Sequence, residues 1–316
     1  MNQPVWSEWQ PVQPRLSLAP ATLAEILAGG QSFRWASVST PTPVADGDIG
    51  DHLVWTGTWS DCLAQLQLIE GRLHWRAPSS IQTTVAAALP RYLALDTDWT
   101  ALTDSLPWRS DAHLAHCLAA FPGLRLLRQP FGETLLGFLC SATKQIVQIK
   151  QMVALLAERH GLPGDWPGQT PAGQQTGTVP HRLPTWPELA AIPEKELRQC
   201  LLGFRAKYIH AIAKYIAARP GWLEETEHLP YAAAKARLLE LPGVGEKVAD
   251  CVLLFGAGRL EAFPVDTWVL KSLARRYGLT GWKPAPVAHF GRTHFGPLAG
   301  LAQQYLFAWE RKFGNR

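Results

Sequence analysis

The chain has 316 residues, 47% of them apolar, which describes a globular protein of two domains or one elaborate domain. Its net charge of +4 is unevenly distributed. Residues 1–105 carry 5 Lys/Arg and 10 Asp/Glu, a net charge of −5, whereas residues 106–316 carry the other 25 Lys/Arg and 16 Asp/Glu, a net charge of +9. Five scattered cysteines without a CxxC pair exclude a disulfide scaffold, a zinc ribbon and a cysteine-ligated cluster, and no apolar run approaches the roughly 20 residues that span a bilayer.

The first part of the chain has the pattern of β-strands. Segments such as HLVWTGTWS and RLHWRAP alternate apolar and polar residues, and the cluster TPTPVADGDIGD is typical of a turn. We therefore predict a small antiparallel sheet domain, to which we assign residues 1–105.

Helical spacing begins at about residue 86 and continues to the C-terminus. The stretch TLLGFLCSATKQIVQIKQMVALLAERHG is periodic throughout and ends in Arg, His and Gly, a typical helix stop. Residues 161–187 are rich in Gly and Pro and predict a surface loop. Several short helices follow, so the predicted fold is α+β, with a mainly helical region over residues 106–316.

Within that region, LLELPGVGEKVADCVLLFGAG predicts a helix-hairpin-helix at about residues 232–257. Gly243 and Gly245 allow the turn to approach another molecule closely. Its N–H groups, backed by a helix N-terminus, would form an anion site suited to a DNA phosphate. An ordinary helix connector is the alternative.

Lys247 follows in the first turn of the second helix. The positive end of the helix dipole disfavours an ammonium there and favours a neutral, nucleophilic amine. Cys251 lies four residues later on the same helix face. A surface lysine and a core cysteine are the alternatives.

A second motif, Pro264-Val265-Asp266, precedes an apolar-periodic helix and makes Asp266 the predicted N-cap. A capping carboxylate held ionised by backbone N–H groups can also face a pocket. There it would stabilise an oxocarbenium-like sugar and assist a lysine.

The hairpin, the lysine and the Pro-Val-Asp motif 19 residues later resemble those of the helix-hairpin-helix (HhH-GPD) glycosylase superfamily. Because it has the lysine, the chain resembles the bifunctional members of that superfamily. Further segments resemble the eukaryotic-type 8-oxoguanine DNA glycosylase/AP lyase family. They are GGQSFRW (29–35), YLALD (92–96), LRLLRQ (124–129), FLCS (138–141), GFRAKY (203–208), LPGVGEKVADC (241–251) and GPLAGLAQQYLF (296–307). The resemblance implies an N-terminal twisted antiparallel sheet, two helical subdomains and a pocket between them.

By this resemblance Lys247 is the Schiff-base lysine and Asp266 the catalytic aspartate. It implies that the carbonyl of Gly30 recognises the base and that Gln303 contacts its Watson–Crick edge. Phe307 and Cys251 would lie on the two faces of the base, and Pro264 is the remaining substrate-binding residue. Oxidation at C8 turns the N7 of guanine from an acceptor into a donor, which a carbonyl oxygen favours. Taken without the resemblance, Gln303 and Phe307 are four residues apart and fit a core-facing helix equally well.

The sequence departs from the family where the family reads the base opposite the lesion. Thr143 stands at the position of an asparagine that fills the gap in the duplex, and Gln148 at that of a cytosine-reading arginine. Phe204 replaces a tyrosine wedge, whereas Arg205 matches the second cytosine-reading arginine. Trp268 stands where a phosphate-contacting histidine is usual. A strict preference for cytosine opposite the lesion is therefore in doubt.

We predict a bifunctional DNA glycosylase/AP lyase that flips 8-oxoguanine, or a related oxidised purine, out of double-stranded DNA and excises it through a Schiff base on Lys247. The alternatives are a glycosylase of the same superfamily for another damaged base and a non-catalytic DNA-binding relative. We expect a monomer without a metal or organic cofactor, with room for a monovalent cation at the hairpin. The expected location is the bacterial cytoplasm, in association with the nucleoid, or the nucleus of a eukaryote.

A metal site is the remaining candidate. His113, His116 and Cys117 share a predicted helix, and His289 and His294 lie later. Since no acidic partner or CxxC pair completes the set, we predict a solvated helix face with one buried cysteine.

Overall fold

The computed structural model describes residues 5–43, 49–163 and 180–314. It consists of an antiparallel sheet near the N-terminus followed by helices, which confirms the predicted α+β class. The predicted domain boundary at residues 105 and 106 stays a prediction. Among the described residues, none of the helices has the length and apolar character needed to cross a lipid bilayer.

The sheet has five strands in the order β1-β5-β4-β3-β2, all antiparallel. They are β1 (Gln10–Pro11), β2 (Trp35–Pro43), β3 (Ile49–Trp59), β4 (Cys62–Ile69) and β5 (Arg72–Arg76). Residues 44–48 of the predicted turn cluster lie outside the described residues.

Two tight turns fix the register of the central strands. Trp59 pairs with Cys62 and Ile69 with Arg72, and positive φ angles occur at Ser60 in the first turn and at Glu70 and Gly71 in the second. Two-residue turns with positive φ match the twist of paired strands. The two segments predicted as strands are thus confirmed in β3 and β5.

The helices are α1 (Pro20–Ala28), α2 (Gln82–Tyr92), α3 (Trp99–Asp104), α4 (Ala112–Ala120), α5 (Phe131–Leu139), α6 (Ile146–His160), α7 (Trp186–Ala191), α8 (Glu194–Leu197), α9 (Arg205–Ala217), α10 (Trp222–His228), α11 (Tyr231–Leu239), α12 (Glu246–Phe255), α13 (Thr267–Arg276), α14 (Pro284–Phe295) and α15 (Ala299–Phe313). A single π-helical turn, Arg198–Leu202, joins α8 to α9 across a kink, and Ser79–Ile81, Pro107–Arg109 and Gly296–Leu298 are 3₁₀ turns. Of the predicted loop at 161–187, residues 164–179 lie outside the described residues.

The periodic stretch TLLGFLCSATKQIVQIKQMVALLAERHG is helical, as its spacing predicts, but it forms two helices and not one. The helix ends at Leu139 and a new one begins at Ile146. Thr143 between them adopts a φ of +57°, in the left-handed region. Gln145 and Gln148 form a capping box that starts α6. The polar run Ser-Ala-Thr-Lys-Gln therefore makes a turn, although the apolar period continues across it.

Helices α12 and α15 lie at the centre of the helical region. All residues of α12 from Val248 to Phe255 are buried, and so are all residues of α15 from Ala299 to Ala308. Gly300 allows the close approach of α15 to the end of α12, since a Cβ there would lie 2.3 Å from the Leu254 side chain. Side chains on these two helices are consequently held by a packed core.

Candidate active site

The predicted hairpin is formed by Pro242-Gly243-Val244-Gly245 between α11 and α12. Val244 is buried and anchors the turn, whereas its neighbours on both sides are exposed. Gly243 has a φ of +82°, and a Cβ there would lie 2.6 Å from the Tyr208 ring. Gly245 is the N-cap residue of α12, and a Cβ there would meet nothing within 4 Å. The turn therefore presents bare backbone at a helix N-terminus, as an anion site requires.

The two hairpin glycines make a matched pair for mutation. Gly243→Ala places a side chain at positive φ and against Tyr208, so we expect a loss of about 1–2 kcal/mol in the free energy of unfolding. Gly245→Ala meets neither obstacle and should cost less than about 1 kcal/mol. Urea unfolding of both variants measures the difference, and equal stabilities would contradict this account of the turn.

Lys247 is the second residue of α12 and is half-buried. Its Nζ donates a hydrogen bond to Ser141 Oγ at 3.0 Å and lies 4.9 Å from the centroid of the Phe138 ring. Ser141 Oγ in turn donates to the Phe138 carbonyl at 2.7 Å. The break between α5 and α6 is thus what provides the partner of the lysine.

Cys251 lies on the same face of α12, as predicted, and is buried. Burial raises the pKa of its thiol to about 12, against the opposing effect of Lys247. The group is therefore a neutral thiol at physiological pH and offers an uncharged, polarisable surface beside the lysine.

Asp266 is the N-cap residue of α13, as predicted. Its Oδ1 accepts hydrogen bonds from the backbone N–H groups of Trp268 at 3.0 Å and Val269 at 2.9 Å. Burial raises the pKa of this carboxyl, and the capping N–H groups and the charge of Lys247 oppose that effect without cancelling it. The cap stabilises the ionised form of Asp266, but desolvation is the larger effect on its pKa.

The structure brings Gly30 and Phe307 together. Gly30 has a φ of +118°, and a Cβ on it would lie 3.1 Å from Ile146 Cδ1 and 3.6 Å from the Phe307 ring. The second value is an ordinary contact distance, so the Phe307 ring packs next to Gly30. The space beside Gly30 is therefore occupied by the Phe307 side chain.

Gln303 is buried and both ends of its amide are bonded. Its Nε2 donates to the Pro264 carbonyl at 3.0 Å, and its Oε1 accepts from Gln304 Nε2 at 2.8 Å. Pro264 is two residues before Asp266, so this contact ties α15 to the segment that carries the carboxylate.

Gln31 and Ser141 are site residues to which the sequence analysis gave no role. Gln31 accepts from Leu127 N at 2.9 Å, donates to the Arg125 carbonyl at 3.0 Å, and its own carbonyl accepts from Gln129 Nε2 at 2.7 Å. These bonds fix the backbone next to Gly30. Both are buried polar side chains within two of the segments that carry the family resemblance, GGQSFRW and FLCS, which is the signal that could have identified them.

Three of the four residues assigned to the opposite base lie together. Arg205 donates to Thr143 Oγ1 at 3.1 Å, to the Leu202 carbonyl at 3.2 Å and to the Ala142 carbonyl, and its guanidinium lies 4.4 Å from the centroid of the Phe204 ring. Only 3% of Arg205 is exposed, whereas 54% of Phe204 is.

The remaining candidates on the predicted DNA side are Gln148 and Trp268. Gln148 is exposed in the first turn of α6, where its Oε1 accepts from Gln145 N at 3.2 Å. Trp268, half-buried at the start of α13, has Lys271 Nζ 5.1 Å from its ring centroid. Both therefore lie at helix N-termini.

Among the residues weighed as metal ligands, His113 contacts Cys117 and His294 pairs with Asp111. His113 Nε2 lies 3.6 Å from Cys117 Sγ, and His294 Nε2 lies 3.0 Å from Asp111 Oδ2. Within the part of the chain that the structure describes, no group of three or more His, Cys, Asp or Glu side chains is placed to hold a metal ion.

Comparison with known families assigns both parts of the chain. Residues 15–135 match the family described as 8-oxoguanine DNA glycosylase, N-terminal domain. Residues 136–290 match the HhH-GPD superfamily base excision DNA repair proteins. The two matches are contiguous and include Gly30 in the first and Lys247 and Asp266 in the second.

Relatives and solved structures agree with this assignment. The N-glycosylase/DNA lyase OGG1 of Arabidopsis thaliana is 31% identical over 96% of this chain and 80% of its own length. The N-glycosylase/DNA lyase of Saccharomyces cerevisiae is 27% identical over 83% of this chain and 69% of its own. The 8-oxoguanine glycosylase/lyase of Clostridium acetobutylicum, crystallised with double-stranded DNA containing cytosine opposite 8-oxoG, superposes with a TM-score of 0.80 at 26% identity, covering 98% of this chain and 99% of that one.

Proposed function

Because the chain belongs to the 8-oxoguanine DNA glycosylase family of HhH-GPD base excision repair proteins, we propose that it excises 8-oxoguanine from double-stranded DNA and cleaves the strand with Lys247 and Asp266. The observation that carries the assignment of these residues is the placement of Lys247. Lys247 is half-buried at the start of α12, and its amine donates a hydrogen bond to Ser141 Oγ. Its charge also lowers the pKa of the Asp266 carboxyl, against the effect of burial.

DNA is held first through its backbone. The basic balance of residues 106–316 attracts the duplex, and the exposed hairpin around Gly243 and Gly245 offers N–H groups to a phosphate. The lesion then rotates out of the stack, because its glycosidic bond cannot be reached inside the duplex.

The flipped base enters beside Gly30, with Phe307 and Cys251 on its two faces. The Gly30 carbonyl accepts a hydrogen bond from N7–H of 8-oxoguanine and repels the unprotonated N7 of guanine. Gln303 and Pro264 form the wall next to Asp266, and Gln303 exchanges one of its present bonds for the Watson–Crick edge of the base. Opening requires Phe307 to leave its contact with Gly30.

In the chemical step the amine of Lys247 attacks C1′ with its nitrogen lone pair. A bond forms between Nζ and C1′ as the bond between C1′ and N9 breaks, and the base leaves with the electron pair and acquires a proton. Asp266, as a carboxylate, stabilises the positive charge that develops on the sugar.

Strand cleavage follows from the same intermediate. The attached amine loses one proton, and its lone pair then forms the C1′–N double bond as the C1′–O4′ bond breaks and O4′ takes up a proton. The resulting protonated imine makes the C2′ proton acidic. Loss of that proton expels the 3′ phosphate by β-elimination and nicks the strand. Water then hydrolyses the imine and restores Lys247.

The opposite base is read weakly in this proposal. The donors of Arg205 are directed to two backbone carbonyls and to Thr143, and Gln148 replaces an arginine of the family pattern. A bidentate contact to a base contributes about 1–3 kcal/mol of discrimination. Because Gln148 cannot make such a contact and Arg205 is already hydrogen-bonded within the protein, the identity of the base opposite the lesion should have little effect on the rate of excision.

The test is single-turnover excision from duplexes that carry 8-oxoguanine opposite C, T, A or G. We expect release from all four, with rates within about ten-fold of one another. Undamaged duplexes and duplexes with an alkylated purine are the controls. Release of the alkylated base alone would indicate another substrate, and binding without release of any base would indicate a non-catalytic relative. A preference for C above about 100-fold would contradict the weak recognition of the opposite base.

A further inference from the structure

The turn between α8 and α9 displays a strained, exposed leucine. Leu201 has a φ of +61°, in the left-handed region that residues with a side chain seldom occupy, and 53% of it is exposed. An apolar side chain kept in water on a strained backbone contributes little to folding, and such strain is concentrated at functional positions.

Three arginines hold this turn in place through its carbonyl groups. Arg159 donates to the Gln199 carbonyl at 3.1 Å, Arg198 to the Gly203 carbonyl at 3.2 Å and Arg205 to the Leu202 carbonyl at 3.2 Å. The backbone on both sides of Leu201 is therefore fixed, and its side chain is held toward solvent.

Leu201 lies in the turn that immediately precedes an exposed ring next to the hairpin. Phe204, three residues later, is 54% exposed, and its ring centroid lies 6.2 Å from that of Tyr208 in an edge-to-face contact. The Tyr208 ring packs against Gly243 of the hairpin. Phe204 is thus linked to the hairpin through Tyr208, and Leu201 is the exposed apolar side chain that comes just before it in the chain.

We propose that Leu201 is a second wedge, which enters the base stack beside Phe204 on the strand opposite the lesion. Apolar side chains inserted at a base step unstack it and bend the duplex. A leucine makes no hydrogen bond to a base edge, so its effect is the same for all four opposite bases. This inference rests on the proposed function and adds a residue that helps to extrude the lesion.

The experiment compares Leu201→Gly with Leu201→Met and with Leu162→Gly. Glycine accepts a φ of +61° without strain, so Leu201→Gly should fold with an unchanged or higher melting temperature. Leu162 is 54% exposed beyond the C-terminal end of α6 and is the matched control. Unstacking is read from the fluorescence of 2-aminopurine placed next to the opposite base, and excision from single-turnover rates.

We expect Leu201→Gly to slow excision from fully paired duplexes about ten-fold and to lose most of the fluorescence rise, whereas Leu201→Met and Leu162→Gly resemble the wild type. On a duplex with a two-nucleotide gap opposite the lesion, where the stack is already broken, all variants should be equally fast. An unchanged fluorescence rise in Leu201→Gly, or an equal loss of rate on paired and gapped duplexes, would overturn the proposal. If the wild type released no base from any duplex, the proposed function would fail, and the fluorescence would still decide whether Leu201 unstacks DNA.

Discussion

Lys247→Gln is expected to abolish strand cleavage and to lower the rate of base release by at least about 1000-fold, the scale of effect seen when an enzyme loses its nucleophile. An amide cannot form a Schiff base, so borohydride should no longer trap the protein on DNA. Glutamine can still donate a hydrogen bond to Ser141 Oγ, and the fold should be kept. Single-turnover cleavage of an 8-oxoguanine duplex measures both losses.

The control for this change is Lys312→Gln, which removes an equal charge from an exposed position near the end of α15. It should cleave and be trapped like the wild type. If Lys247→Gln cleaved the strand at a normal rate, the nucleophile would have to be another amine. If it released the base normally without cleavage, water would be the attacking group.

Asp266→Asn is expected to slow base release by about 100- to 1000-fold, the range for losing one preorganised electrostatic contact in a transition state. Asparagine is as good an N-cap residue as aspartate, so α13 should keep its start. Asp98→Asn is the matched control, because Asp98 caps α3 by accepting from Ala101 N at 3.0 Å and is exposed. A normal rate in Asp266→Asn would remove Asp266 from the chemistry.

The raised pKa of Asp266 gives the direction of two pH effects. The folded protein binds the carboxyl proton more tightly than the unfolded chain does, so stability falls as the pH rises from the ordinary pKa to the raised one. Above the raised pKa the ionised carboxylate is therefore destabilising, and Asp266→Asn should there unfold at the same temperature as the wild type or a higher one. Because the proposed mechanism needs the charge, the rate should rise with pH across the same interval.

The placement of the proposed catalytic pair, Lys247 and Asp266, could be predicted from the sequence because its signals are local. Two glycines close to a proline produce the hairpin, the next residues begin a helix that carries Lys247, and an aspartate before an apolar-periodic run becomes an N-cap. Each of these arrangements depends on a few neighbouring residues. The structure has all of them where they were predicted.

The surroundings of the pair could not be predicted in the same way. The turn at 140–145 interrupts a run whose apolar period continues, and the bond from Arg205 to Ala142 that holds it spans 63 positions. The bonds of Gln31 join segments 94 to 98 positions apart. Burial of Asp266, which outweighs its cap, also comes from packing across the fold. Hydrophobic periodicity and secondary-structure propensity do not reveal contacts between residues that are distant in the sequence.

Peptide mapping of the borohydride-trapped complex identifies the residue that forms the covalent link to DNA. Wild-type protein is reduced on a duplex with 8-oxoguanine, the DNA is digested, and the peptides are identified by mass spectrometry. We predict the sugar remnant on Lys247, in a peptide that trypsin no longer cleaves after that residue. A remnant on the N-terminal amine or on another lysine, with Lys247 unmodified, would contradict the account.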